Sequence, residues 1–304
     1  MKKLISLTLL FSAFLITSCF SESKIISANS FSEITQLIQQ SQDPHHTLLA
    51  LDDDDTLTMM PCPNSEHCQY LGGPAWFEWQ YHLPISSKER IWKNFNDLMA
   101  INNLIFSICG MPLTDKEIPN TLKQADKSGM KITVVTARAY TQMSQTERQF
   151  SQDGILPEIE KAAIVTPTGH ISFPGFYFPR SWQTQPVRRI AYLHGVLYAC
   201  GQNKGEMIQQ FLAKTAQTKN IRHIIFVDDT MQNVVDVANQ YKNNPNVDVI
   251  SVHYTKLVAH KAAFLHGKNA KILQEKANAE WYAVKAALTK DLPGFSLYHQ
   301  TVSP

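Results

Sequence analysis

Four consecutive carboxylates, Asp52, Asp53, Asp54 and Asp55, follow the apolar run Thr47-Leu48-Leu49-Ala50-Leu51. A second run, His223-Ile224-Ile225-Phe226-Val227, ends in Asp228 and Asp229. Carboxylates so close together repel one another unless a cation neutralises them. Mg²⁺ suits such oxygen donors and keeps several waters that a phosphate can displace. An aspartate beside that ion can attack phosphorus and form an aspartyl-phosphate. A solvated acidic turn is the competing reading of either stretch alone. Two strand-plus-acid stretches in one chain favour the metal site.

Such acids need elements to carry them. Both runs are short, apolar and closed by polar residues, the pattern of strands buried inside a parallel sheet. Open α/β sheets bind ligands at the carboxyl ends of their strands, where these acids lie. Two further strands are predicted, one over Met130 to Thr136 and one over Gly195 to Cys200, the latter leading to Lys204 at a helix start. Ser32-x-x-x-Gln36, one residue longer than a capping box, and the capping box Thr114-x-x-Glu117 are each read as opening a helix with a single apolar face. Gly129 marks the stop of the second. Val234, Val237, Ala238 and Tyr241 share one face of a helix after Asn233, and Val247 to Val252 supplies another strand. Ala163–Val165 and Ile171–Phe173 are predicted to pair as a hairpin through Pro167-Thr168-Gly169-His170. The aromatic stretch from Phe176 to Tyr192 has no assignable pattern. In the tail, Lys256 to Lys290 reads as helices with Ile272, Leu273, Lys276, Ala279, Tyr282, Ala283 and Ala286 along one stripe, expected to pack against the core.

With 304 residues, 44% hydrophobic and 18% charged, the chain is long enough for a substantial core and has a globular composition. Lys2 and Lys3 account for the formal net charge of +2, so no basic footprint for nucleic acid exists. Met1-Lys2-Lys3 followed by the apolar Leu4 to Ile16 reads as a leader too short to be a permanent span. Ile16-Thr17-Ser18-Cys19 resembles a bacterial lipobox, which implies lipidation of Cys19, a bacterial envelope location facing the periplasm and, given Phe20, the outer membrane. The expected organisation is a signal peptide over 1–18, a polar tether over 19–31, a core over 32–58 and 114–304, and an insertion over 59–113. Within that insertion Cys62 and Cys68 suit a disulfide in an exported protein better than half a zinc site.

Taken in order, Asp52-x-Asp54-x-Thr56, Thr136, Lys204 and Asp228-Asp229 resemble motifs I to IV of the haloacid-dehalogenase-like (HAD) superfamily. The resemblance spans residues 47 to 233. It implies a doubly wound, mostly parallel α/β sheet with a cap inserted after the first motif strand. It further implies a phosphatase, because phosphatases of that superfamily have an acid two residues after the nucleophile. Asp52 would be the nucleophile and Asp54 the general acid and base; Thr136 and Lys204 would bind phosphate. Mg²⁺ would be held by Asp52, the Asp54 main-chain carbonyl and Asp228, with Asp229 in support. Thr56 fixes the register, since it stands four residues after Asp52, whereas Asp53 has Leu57 there. Asp55 falls where many relatives have glycine. The leader and the acid at position 55 resemble class C acid phosphatases of Gram-negative envelopes, although Asp53 replaces an apolar residue and the Gly-Asp-Asn form of motif IV is absent. The expected partner is a small phosphorylated substrate. A non-catalytic lipoprotein that binds a phosphorylated ligand and a phosphotransferase are the rival readings.

Overall fold

The structure, a computed structural model, describes residues 23–64, 67–176 and 188–297. Its centre is β2 (Thr47–Leu51), whose five residues are all buried. Side chains alternate across a strand. Accordingly Leu49 and Leu51 enter one apolar cluster, and Leu48 and Ala50 enter the one on the opposite face of the sheet. A strand covered on both faces needs apolar residues at every position, which is why this run is continuous rather than alternating.

Around β2 lie β1 (Ser23–Ala28), β3 (Lys131–Thr136), β4 (Phe173–Phe176), β5 (Ile190–Leu193), β6 (Val196–Tyr198), β7 (His223–Asp228) and β8 (Asp248–Tyr254). They form one eight-stranded sheet in the order β1-β8-β7-β2-β3-β6-β5-β4. From β1 to β6 along that order every pairing is parallel; β5 and β4 add antiparallel pairings at one edge. The protein is therefore an α/β fold with a mostly parallel sheet between helical layers, as its sequence pattern implies.

One layer contains α1 (Phe31–Gln39), α4 (Ile118–Ser128), α5 (Met143–Gln152) and α6 (Leu156–Ala162), contributing Phe31, Ile34, Leu122, Phe150 and Ile159 to the core. The other contains α7 (Lys204–Lys214) and α8 (Met231–Tyr241), which bury Met207, Phe211, Val237 and Tyr241. A third cluster lies in the insertion, on α2 (Pro74–His82) and α3 (Phe95–Ile108), where Trp76, Leu98, Ile101 and Ile105 pack together. Gly72 enters this cluster at φ +86°, and a Cβ there would meet Ile105 Cγ2 at 2.4 Å. Close approach of backbone to side chain thus requires glycine.

Several expectations change. Ser23–Ala28 is an edge strand, paired in parallel with β8 from Ser23↔Val249 to Ala28↔Tyr254, not a tether. The hairpin predicted over 163–173 is absent: Ala163 bridges Ile132, and β4 pairs with β5 instead. Its predicted turn does form, with the Thr166 amide donating to the His170 carbonyl at 2.7 Å. The tail helices α9 (Val258–Leu265) and α10 (Ala270–Asp291) bury Phe264, Ala277 and Trp281 against the insertion rather than against the sheet. The α10 stripe runs through Leu273, Ala277, Trp281 and Val284, leaving Ile272 and Tyr282 exposed, because the bulk of Trp281 selects the face. The predicted leader, Cys19 and most of the unassigned aromatic stretch fall outside the described residues. Among the described residues no helix is long and apolar enough to cross a membrane.

Candidate active site

β2 and β7 are hydrogen-bonded neighbours in parallel register, with Leu51 opposite Val227. The next residues, Asp52 and Asp228, therefore emerge side by side, and the Asp52 amide donates to the Val227 carbonyl at 2.9 Å. Lys204 approaches from the first turn of α7, whose N-cap Asn203 accepts from the Glu206 amide. Its ammonium donates to Asp52 Oδ1 at 2.5 Å and to Asp228 Oδ2 at 2.7 Å. Only 1% of Lys204 is exposed, which is unusual for a lysine and tolerable only because it is paired twice. Burial opposes the Lys204 charge, yet Asp228 and Asp52 together hold its pKa above the ordinary lysine value.

Asp228 also accepts from the Thr230 amide at 2.8 Å and from Asn233 Nδ2 at 3.1 Å. Asp229 accepts from Lys261 Nζ at 2.7 Å, and its amide donates to Thr56 Oγ1 at 3.0 Å. Thr56 thus joins the two acid-bearing loops. Asp54 is held in a fork formed by Arg138: Nε donates to Oδ2 at 2.8 Å and Nη2 to Oδ1 at 2.7 Å. Thr146 and Gln149 accept from Arg138 Nη1, so most of the guanidinium is committed. Thr136 is fully buried at the end of β3; its hydroxyl accepts from the Arg138 amide at 3.1 Å, and the cavity lining begins at Ala137.

Asp53 points away from this opening. Its carboxylate accepts from Thr58 Oγ1 at 2.8 Å and pairs with Arg138 at 3.2 Å, while its carbonyl gathers the amides of Thr56, Leu57 and Thr58. Asp55 takes the left-handed φ of 63°, the conformation glycine adopts most easily. Burial first, and then the charge of Asp228, pushes Asp52 up to about 7. Burial also raises Asp53 to about 7, against the pull of Arg138. Asp55, Asp228 and Asp229 are raised for the same first reason.

Asp52 to Asp55 together with Asp228 and Asp229 outnumber the cations that face them, Arg138, Lys204 and Lys261. This imbalance suits a divalent cation. Ligand oxygens of Asp52, Asp228 and Asp229 lie within 4.8 Å of one another. An all-carboxylate donor set of that size fits Mg²⁺. The chain's own residues can therefore hold the ion.

Above the acids is a cavity of about 210 Å³. Asp52, Asp54 and Lys204 form its floor, and α2 and α3 of the insertion supply Phe77, Met99 and Phe106 to its walls. Cys62 and Cys68, at the start of the insertion, are joined as a disulfide. The structure thus brings together Asp52, Asp54, Lys204, Asp228 and Asp229 and leaves Thr136 just beneath. Two residues escaped the sequence reading. Arg138 stands two positions after Thr136, and its place next to a motif residue was the available signal. Lys261, on α9, had none, because only the packing of the tail brings it to Asp229.

No curated protein sequence matches the chain. One solved structure, described as cytosolic 5'-nucleotidase IIIB (cN-IIIB) bound to cytidine, is similar over 83% of this chain and 91% of that one, at 10% identity and a TM-score of 0.34. The model of the family described as "Protein of unknown function (DUF2608)" matches residues 27–293, which include every acid and cation of the site, and the chain belongs to that family.

Proposed function

We propose that the protein is a Mg²⁺-dependent phosphomonoester hydrolase of HAD type that works through an aspartyl-phosphate in the bacterial cell envelope. The observation that carries this reading is the meeting of Asp52 and Asp228 on adjacent parallel strands, with Lys204 bonded to both. Asp52 Oδ attacks phosphorus in line, and the bond to the leaving oxygen breaks. Asp54 supplies the proton that oxygen needs, then takes one from the water that attacks the acyl phosphate. Lys204 holds the phosphoryl oxygens, while Thr136, buried beneath the cavity floor, steadies the loop after β3 through the Arg138 amide. Asp52, Asp228 and the Asp54 carbonyl would hold Mg²⁺, with Asp229 beside them; when bound, the ion offsets phosphoryl charge and orients the transferring group. Arg138 and Lys261 are positioning residues, the first for Asp54 and the second for Asp229.

The test is hydrolysis of a broad panel of phosphate esters with Mg²⁺, Mn²⁺ or Co²⁺, repeated with a chelator. Turnover that the chelator abolishes is expected. No turnover with any of the three metals would leave a ligand-binding protein.

A pH dependence follows from Asp52. Burial and Asp228 favour its protonated form, with a pKa of about 7. A proton must leave before the carboxylate can ligate a metal, so Mg²⁺ affinity should rise as pH climbs through about 7 and be weak well below it. Calorimetric titrations in buffers of different protonation enthalpy should show proton release near neutrality. Affinity that does not vary between pH 6 and 8 would contradict this.

Anchoring through Cys19 completes the reading, supported by the lipobox-like run. Labelled palmitate should enter the wild type and not Cys19→Ala; equal labelling of both would remove the anchor.

A further inference from the structure

Resting on the phosphomonoesterase reading, we infer that this site takes compact aromatic phosphomonoesters that carry no second anionic group, with Phe77, Met99 and Phe106 as specificity residues. The insertion turns one face of each of two helices towards Asp52. Met99, Asn102 and Phe106 follow one another at i, i+3 and i+7 on α3, and Pro74, Phe77 and Glu78 at i, i+3 and i+4 on α2. Residues at such spacings share a helix face. Two helices thus lay one face each over the floor acids.

The amides of that surface have little left for hydrogen bonding, and Glu78 is the acceptor that remains on it. Asn102 Nδ2 donates to the Gly72 carbonyl at 2.8 Å, and its Oδ1 accepts from Gln142 Nε2 at 3.1 Å. Gln142 Oε1 in turn accepts from the Ala139 amide at 2.9 Å. Both amides are used within the protein. A polyol leaving group would exchange water for a wall with few partners, at a cost for each hydroxyl left unpaired. Flat apolar groups suffer no such loss and gain contact with Phe77 and Met99, with Phe106 backing that wall as a buried ring. The Arg138 guanidinium, 4.2 Å above the Phe106 ring, fixes that wall in place.

Charge narrows the class further. Among the described residues lining the cavity the cations are Arg138 and Lys204, both at its floor and both bonded to carboxylates. The charged side chain on the α2 wall is Glu78, an acid. A second phosphate or a carboxylate on the substrate would meet that acid, and the nearby cation, Lys261, is already bonded to Asp229. Size points the same way, although the cavity is open on one side. A volume of about 210 Å³ is below the roughly 300–1,000 Å³ of sites for drug-sized ligands. One phosphate and one ring are the scale it suits.

Benzyl phosphate and ethyl phosphate separate this from leaving-group chemistry, since both release an alkoxide. The full chain with Mg²⁺ should favour benzyl phosphate by about tenfold or more in kcat/KM, mainly through KM. Phe77→Ala should shrink that ratio several-fold. Glu78→Lys should improve 4-carboxybenzyl phosphate relative to benzyl phosphate several-fold. Benzylphosphonate and ethylphosphonate, which cannot be hydrolysed, provide the binding arm by calorimetry. Equal kcat/KM for the two esters, or equal binding of the two phosphonates, overturns the aromatic class while the hydrolase stands. Preferential benzylphosphonate binding without turnover of any ester supports the class and overturns the hydrolase.

Discussion

Asp52→Asn is expected to lose hydrolysis by on the order of 10⁴–10⁶-fold, since an amide cannot attack phosphorus and the proposed mechanism makes this acid the covalent partner. No phosphoryl label should remain on the acid-quenched variant. Its fold should survive, because the substitution removes a charge from a cluster already rich in buried acids. Asp53→Asn gives the contrast. Asp53 is fully buried and faces Thr58 and Arg138 rather than the cavity, so its replacement should reduce stability and leave the chemistry largely intact in the folded fraction. Phosphoryl label recovered on Asp53, or an active Asp52→Asn enzyme, would reverse the register set by Thr56.

The largest expected effect on stability is at Arg138. Its side chain is 2% exposed, that of Asp53 is 0%, and that of Asp54 is 19%. Arg138→Met would leave two acids with no counter-charge, one of them fully buried. Removing one member of a buried pair costs roughly 3–5 kcal/mol, and for a chain of this size that lowers Tm by about 5–8 °C. The double variant Arg138→Met/Asp53→Asn should recover part of the loss, because one of the stranded charges is gone; a coupling of about 1 kcal/mol or more is expected. Thermal melts of the two single variants, the double and the wild type measure it. Equal melting of Arg138→Met and wild type would mean that Arg138 bears none of this load.

The acids of the site were legible because their strands are. β2 and β7 must be apolar at nearly every position to lie between two helical layers, and nothing else in the chain combines such runs with terminal carboxylates. Lys204 was legible by its order after β6. The role of Arg138 was not, since a basic residue just past a strand is most often solvated, and burial is a property of the packed chain. β1 was misread for a related reason. An edge strand covers one side only and tolerates polar residues; Ser23, Lys24 and Ser27 gave the composition of a linker. The tail went to the wrong partner because its Trp281 meets Trp76 and Ile101 in one cluster from about two hundred residues away in sequence. Periodicity reports a buried face and is silent on what covers it.

Under the proposed acylation of Cys19, the direction of β1 sets how the protein sits on a membrane. β1 runs parallel to the central strands, so Ser23 lies at the sheet's amino edge, on the opposite side from Asp52 and Asp228. From Cys19 to Ser23 the chain can reach at most about 14 Å. In a protein acylated at Cys19, the bilayer would press close against that amino edge. The cavity would open outward, away from the lipid, one strand length of roughly 17–20 Å above the attachment side. Such an orientation admits water-borne esters without passage along the membrane surface.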